Sequence, residues 1–139
     1  MDDKIVRVLM NDLKRAKKKK EVPVSALIVY NNKIIAHAHN GRVSKRDVTA
    51  HAEVLVIKKA ARILKDWRLS ECEMYVTLEP CAMCREVIKE ARLSKVYYYV
   101  SRETSKKGFS GTLFKLLINN HSNSFQQFLS SFFKDNGNR

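Results

Sequence analysis

Two cysteines, Cys81 and Cys84, stand three positions apart in the stretch VTLEPCAMC (76–84), directly after Glu79-Pro80. Side chains at positions i and i+3 face the same side of a helix, so both sulfurs can reach one point. A helix N-terminus also stabilises thiolates, the form that binds a metal or attacks a disulfide. Taken alone, the pair fits a redox-active dithiol, a structural zinc site or a catalytic metal site.

A histidine and a glutamate earlier in the chain favour a catalytic metal site. His51-Ala52-Glu53 stands at the start of an apolar, helix-periodic segment. In an α/β sandwich such helix starts follow the carboxyl ends of strands, so His51 and the two cysteines can converge. One histidine and two cysteines make three zinc ligands and leave a fourth position for water. The order H-x-E followed by P-C-x-x-C is that of the zinc deaminases.

This pattern gives each residue a role. We predict that His51, Cys81 and Cys84 hold Zn²⁺, which lowers the pKa of a water molecule toward neutrality. Glu53 lies two residues from a ligand and is not needed as one. It is therefore the predicted proton shuttle between the water and the amine-bearing ring of a base.

A closed, purely structural zinc site would need a fourth protein ligand. Cys72 stands just ahead of the strand that leads to Pro80, toward the far end of that strand. His37 and His39 alternate along another strand, in positions typical of packing or surface residues. None of these, nor His121, has ligand-like spacing, so we expect an open site.

The charge of the chain favours a polyanionic partner. The 139 residues include 27 Lys and Arg against 14 Asp and Glu, a net charge of +13 at pH 7. Such a field attracts nucleic acid, although a basic protein without this partner remains the alternative. We expect no secretory signal and no membrane span, and therefore a cytoplasmic protein whose three cysteines are free thiols or metal ligands.

The elements that position these residues follow from hydrophobic periodicity. We predict a helix over 3–18, a strand over 22–30, a turn at Asn31-Asn32 and a returning strand over 33–39. A loop covers 40–49, and Thr49 caps a helix over 50–65. After these come a strand over 73–78, a helix over 81–92, a strand over 95–100, and two helices over 111–120 and 124–134. This order predicts one α/β sandwich domain over 1–139, with the last two strands parallel.

Three stretches together resemble a known family. EVPVSALIV (21–29), TAHAEVLVIKKA (49–60) and VTLEPCAMC, in this order and at these spacings, are similar to the bacterial tRNA-specific adenosine deaminases of the cytidine deaminase superfamily. The resemblance covers about residues 5 to 100. It implies a three-layer α/β/α sandwich of the cytidine deaminase-like type and a homodimer. It also implies a hydrolase that converts adenosine to inosine at the wobble position of a tRNA anticodon stem-loop.

The resemblance also implies residues that contact RNA. Asn40 matches the family's asparagine that contacts the flipped nucleotide, although beside Gly41 it also suits a turn. Phe132, Phe133 and Lys134 match the family's C-terminal helix, although the two phenylalanines also suit a core. Predicted phosphate contacts come from the basic run that ends the first helix: Lys17, Lys18, Lys19 and Lys20.

The chain departs from the family pattern in three places. Ser25 stands where the family usually has glycine, and the loop over 101–112 does not align with the family's Arg-Asp-x-Lys-x-Gly segment, with Glu103 near the position of that aspartate. Between the last two helices the family has a strand, where this chain has only NNHSN (119–123). We therefore predict a sheet of about four strands.

Two other functions remain open at this point. The first is a zinc deaminase of a free base or nucleoside, such as guanine or cytosine, whose small substrate would not need so large a positive field. The second is a non-catalytic, zinc-stabilised RNA-binding module, which would leave Glu53 and the open ligand position without a purpose.

Overall fold

The computed structural model of the protein describes residues 2–102, 112–117 and 121–136, with the backbone alone for 134–136. Ten helices and strands lie within this part of the chain. In order they are α1 (Asp2–Lys18), β1 (Ser25–Tyr30), β2 (Lys33–His39), α2 (Arg42–Lys45), α3 (Ala52–Leu64), β3 (Glu73–Leu78), α4 (Ala82–Glu90), β4 (Lys95–Val100), β5 (Leu113–Leu116) and α5 (Ser122–Asn136).

A mixed sheet with the strand order β2-β1-β3-β4-β5 forms the centre of the fold. Strand β1 pairs antiparallel with β2 and β3, while β3, β4 and β5 run parallel to one another. Helices flank the sheet, so the predicted α/β sandwich is confirmed, as is the parallel pair joined by a helix. The carboxyl ends of β3 and β4 consequently lie side by side, which is where a site can form.

The fifth strand corrects the prediction of about four strands. Residues Leu113–Leu116, which we assigned to a helix over 111–120, instead extend the sheet by pairing with β4. Leu113, Leu116 and Leu117 have the i, i+3, i+4 spacing of a helix, which is why the sequence pattern predicts one here. The unpaired edge of β4 decides the outcome, because strand formation depends more on neighbouring strands than on intrinsic preference.

The first hairpin and first helix follow their sequence patterns closely. Asn31 and Asn32 have φ of 51° and 60°, the left-handed conformation that a tight hairpin turn requires. The apolar stripe of α1 is buried against the sheet. Ser25, the departure from the family's glycine, donates its hydroxyl to the Leu9 carbonyl oxygen at 2.8 Å and so ties β1 to α1.

The start of α3 differs from the prediction. His51, not Thr49, occupies the N-cap position, and no side chain caps the helix. The Thr49 hydroxyl instead donates to Asp47 at 2.7 Å. Within the described part of the chain, no helix has both the length and the apolar character needed to cross a membrane.

Candidate metal centre and active site

Three side chains meet where α3 and α4 begin. The ligand atoms of His51, Cys81 and Cys84 all lie within 4.8 Å of one another. The Cys81 sulfur is 3.8 Å from His51 Nδ1, although 30 residues separate the two in the chain. The predicted cluster is therefore present, and its donor atoms could hold a metal ion.

Both helices begin at a residue of this cluster. His51 is the N-cap residue of α3 and Cys81 the N-cap residue of α4, each with extended backbone, and neither side chain caps its own helix. Cys84 follows in the first turn of α4, on the same side as Cys81. The unpaired N–H groups at the two helix starts make the local potential positive, which favours thiolates.

The two thiols of the cluster differ in pKa, because they share a hydrogen bond. A hydrogen bond with Cys84 lowers the pKa of Cys81 to about 3, with further help from His51. The same hydrogen bond, together with burial and the nearby Glu53, raises the pKa of Cys84 far above its ordinary value. Because a bound cation replaces the shared proton, metal binding would ionise both sulfurs and release protons.

Glu53 lies beside this cluster and is only 3% exposed. It is in the first turn of α3, two residues after His51, and its carboxylate interacts with the Cys84 side chain. A carboxylate so deeply buried is costly unless its surroundings use its charge or its proton. Glu53 therefore lies close enough to the cluster for the predicted role of proton shuttle to be tested.

No fourth protein ligand joins the cluster among the described residues. Cys72 is buried as a free thiol in the hydrophobic core. His37 pairs with Asp12, Nδ1 to Oδ2 at 2.7 Å, and His39 Nδ1 bonds the Asn40 carbonyl oxygen at 2.8 Å. Among the described residues, these three side chains therefore lie outside the cluster.

Glu79 and Arg85 hold the turn that carries Cys81, and neither is among the predicted site residues. The Glu79 carboxylate is 1% exposed and pairs with the Arg85 guanidinium, which also donates to the Pro80 carbonyl oxygen at 3.3 Å. Glu79 Oε1 further accepts the Arg102 backbone N–H at 3.0 Å. The carboxylate thus fastens the turn before α4 to the segment that follows β4. A glutamate beside proline between a strand and a helix was the one signal in the sequence.

Asn40 is a further buried polar residue near the candidate site. It is 1% exposed, and neither its amide nitrogen nor its amide oxygen has a hydrogen-bond partner among the described residues. It follows the last residue of β2, and the neighbouring Gly41 N–H donates to the Ala50 carbonyl oxygen at 2.8 Å. This bond brings the backbone at Asn40 next to that at His51.

A cavity of about 380 Å³ lies against Asn40. We call it the Asn40 cavity; its other lining residues are Lys20, Val22, Arg42, Val43, Arg46, Asp47, Val48 and Phe132. Val43 and Val48 are 66% and 69% exposed, so the mouth combines apolar surface with positive charge. Phe132 also belongs to the hydrophobic core, as the alternative interpretation of the C-terminal helix held.

Glu21 fixes the α2 loop at the mouth of this cavity. Its fully buried carboxylate accepts the backbone N–H groups of Val43 at 3.0 Å and Ser44 at 2.7 Å. Burial opposes its ionisation, but the hydrogen bonds from Ser44 and Val43 outweigh burial and lower the pKa of Glu21. Because Glu21 follows directly on the basic run, the sequence alone does not distinguish it from an exposed charge.

The predicted RNA-contacting lysines do not share one surface. Lys17 lies 5.7 Å from the centre of the Phe128 ring, between α1 and α5. Lys18 is exposed at the end of α1. Lys19 lines a depression between α1 and α3, and Lys20 lines the Asn40 cavity. Glu103 and the side chain of Lys134 lie outside the described residues.

The comparisons with known proteins point in one direction. A family model described as MafB19-like deaminase matches residues 1–136. A Bacillus subtilis protein named tRNA-specific adenosine deaminase is 42% identical over 116 residues, which span 84% of this chain and 71% of that protein.

Solved structures share the fold. A structure from work on A-to-I editing by tRNA:A34 deaminases at the wobble position superimposes with a TM-score of 0.82 at 27% identity, covering 91% of this chain and 99% of that one. A guanine deaminase from Bacillus subtilis gives a TM-score of 0.68 at 23% identity over 94% of each chain, a likeness that shows the fold alone. The family model makes this chain a MafB19-like deaminase, and on the strength of the Bacillus relative the chain belongs to the family of tRNA-specific adenosine deaminases.

Proposed function

We propose that this protein is a zinc-dependent hydrolase that converts adenosine to inosine at the wobble position of a tRNA anticodon. One observation carries the proposal. A buried carboxylate, Glu53, stands beside three converging donor atoms, and no fourth protein ligand closes the cluster among the described residues. An open metal position next to a buried acid is the arrangement that hydrolytic deamination needs.

The donor set suits zinc. Two cysteine sulfurs and one imidazole nitrogen match the ligands that zinc prefers, and the helix N-termini favour the thiolate form. His51, Cys81 and Cys84 would hold the ion. A zinc ion bound there would supply Lewis acidity that makes water nucleophilic near neutral pH.

Glu53 would move the protons of the reaction. Water that adds to C6 of adenine must lose a proton, and the departing amine must gain one before it leaves as ammonia. A single carboxylate beside the reacting carbon can take the first proton, pass it to the adjacent ring nitrogen and then serve the amine. The low exposure of Glu53 keeps bulk water from competing for these transfers.

Asn40 would hold the nucleotide that enters the site. Its buried amide offers two donor hydrogens and an acceptor, and none is used within the described structure. A ligand that pairs with this amide removes the cost of burying it, which makes Asn40 suited to a polar edge of the base or its ribose. Val43 and Val48 offer exposed apolar surface for a neighbouring base.

A tRNA is favoured over a free base for two reasons. The net charge of +13 suits a phosphate backbone and serves no purpose for an uncharged purine. The relative at 42% identity is named for a tRNA substrate. An anticodon loop also presents unpaired bases that enter a pocket at little unstacking cost.

The proposal includes one deaminase domain over residues 1–139 and a cytoplasmic location, together with the homodimer that the family resemblance implies. Sedimentation of the zinc-loaded protein would test the dimer. A monomer with full activity would contradict that part of the proposal without touching the chemistry.

One panel of substrates tests the function. We expect the zinc-loaded protein to form inosine in an anticodon stem-loop that carries adenosine at the wobble position, with little action on free adenosine, cytosine or guanine. Products are identified by mass. Faster turnover of a free base would overturn the tRNA assignment, and no turnover of any substrate would favour a non-catalytic RNA-binding module.

A further inference from the structure

A positively charged groove follows the exposed edge of β2, the outermost strand on one side of the sheet. It has a volume of about 460 Å³ and lies between α1 and α3. We call it the β2 groove; the cations that line it are Arg15, Lys19, Lys45, Lys58, Lys59 and Arg62. These six side chains come from three separate parts of the chain, so they converge only in the fold.

The groove contains too little negative charge to balance these cations. Its two carboxylates, Asp12 and Asp47, are already engaged. Asp12 accepts from Arg15 at 2.9 Å and pairs with His37 at 2.7 Å. Asp47 accepts the backbone N–H of Thr49 at 2.8 Å and its hydroxyl at 2.7 Å.

Five of the six cations make no ion pair with any residue that the structure describes: Lys19, Lys45, Lys58, Lys59 and Arg62. Like charges gathered around one depression repel one another, and an external polyanion would relieve that repulsion.

The β2 groove adjoins the Asn40 cavity, because the two share a lining residue. Asp47 lines both, and Gly41, which follows Asn40 in the chain, lines the groove. A nucleic acid strand that places one base at Asn40 therefore has a path along which its backbone can continue. Lys58 and Arg62 are four residues apart on α3, so their Cβ atoms are about 5–6 Å apart, a spacing that suits successive phosphates of one strand.

The edge of β2 suits an added peptide strand less well than it suits a phosphate backbone. Lys59 donates its ammonium group to the His37 carbonyl oxygen at 2.9 Å, which occupies one of the acceptors that an added strand would need. Phosphate contacts need no backbone pairing, only cations placed on rigid elements.

We infer that the β2 groove binds the phosphodiester backbone of the base-paired stem adjoining the nucleotide at Asn40. The inference rests on the proposed function, because it takes the same RNA as ligand. It goes further in assigning the stem, as distinct from the loop, to a defined surface. Binding there is independent of sequence and sensitive to salt.

The test compares two triple variants with the same change in charge. The first, Lys45→Gln, Lys58→Gln and Arg62→Gln, removes three groove cations. The matched control, Lys4→Gln, Arg7→Gln and Lys33→Gln, removes three exposed cations elsewhere. Both are made in a Glu53→Gln background so that bound RNA is not turned over. Binding of a labelled anticodon stem-loop and of unpaired RNA with the loop sequence is measured across a salt series.

The groove triple should weaken stem-loop binding. It should also reduce the slope of log K against log salt concentration by about 2 to 3, since each lost phosphate contact reduces that slope by about 0.7–0.9. The control triple should have a smaller effect, and unpaired RNA should distinguish the two triples little. A charge-preserving triple, Lys45→Arg, Lys58→Arg and Arg62→Lys, should keep most of the affinity. Thermal unfolding of each variant establishes that it is folded.

Equal losses in the groove and control triples would overturn the inference, because overall charge alone would then explain binding. A groove-specific loss that is the same for unpaired RNA and the stem-loop would overturn the assignment to the stem. Inosine formation by the wild-type protein on the same stem-loop is measured separately. Inosine can form even if the groove variants bind RNA normally, and the groove variants can lose binding even if no inosine forms. The two proposals are therefore tested independently.

Discussion

Glu79 and Arg85 form a buried ion pair across the segment that carries both cysteines of the candidate metal centre. The two side chains are 1% and 9% exposed, and the pair brackets Cys81 and Cys84 in the chain. Because Glu79 also accepts the Arg102 N–H, the carboxylate sets the position of the α4 start relative to the end of β4.

Arg85→Met should lower the free energy of unfolding by about 3 kcal/mol, since removing one partner leaves the other charge buried and uncompensated. Urea denaturation measures this change. The matched control is Arg68→Met, which breaks an exposed pair with Asp66 and should cost about 1 kcal/mol or less. Similar costs in the two variants would contradict a structural role for the buried pair.

Glu53→Gln should fold and bind metal normally, because glutamine keeps the shape of the side chain and Glu53 is outside the ligand cluster. Loss of a general acid–base group typically slows turnover by about a hundred- to ten-thousandfold. Single-turnover formation of inosine gives the rate, with Glu86→Gln on the exposed face of α4 as control. A near-normal rate for Glu53→Gln would remove this residue from the mechanism.

The protein should carry one zinc ion per chain, and Cys84→Ser should abolish it while Cys72→Ser keeps it. Of these two cysteines, Cys84 belongs to the donor cluster. Cys72 lies in the core, where burial raises the pKa of its thiol. Metal analysis after gel filtration distinguishes the variants. Zinc-free protein with two redox-active thiols would instead point to a dithiol oxidoreductase.

Asn40→Leu should reduce kcat/KM without reducing stability. The amide has no partner among the described residues, so its removal should leave the free energy of unfolding unchanged or raise it by about 1 kcal/mol. The substrate would lose its own partner in a buried site, at about 1–3 kcal/mol, or about ten- to a hundredfold in kcat/KM. Thermal unfolding and kinetics on the stem-loop are compared for the same preparation. A large loss of stability would mean that Asn40 is structural.

The sequence predicted those parts of the fold whose signals are local. The bounds of β2, β3 and β4 were obtained to the residue, because each is an apolar run ended by polar or turn residues. The cluster of His51, Cys81 and Cys84 could also be predicted, since helix starts after strands are the positions where distant residues meet. Strand β5 could not be predicted from the sequence, because its formation depends on pairing with β4, which is a tertiary contact.

The buried carboxylates mark the limit of sequence-based analysis at the candidate site. Glu21 and Glu79 are both charged residues that a hydropathy pattern places at the surface, yet each is at most 1% exposed. Their partners are backbone N–H groups and an arginine brought close by the fold. Asn40 was identified only by its match to the family, and its unsatisfied amide became visible only with its neighbours in place.

The contact of Lys59 with β2 also bears on how molecules of this protein behave at high concentration. An outer strand with free backbone groups is a template on which sheets of separate molecules can join and grow into aggregates. Here a lysine holds the His37 carbonyl oxygen, and bringing a second sheet to this edge would strip water from that ammonium group and the cations around it. The same charges would therefore keep one end of the sheet from polymerising.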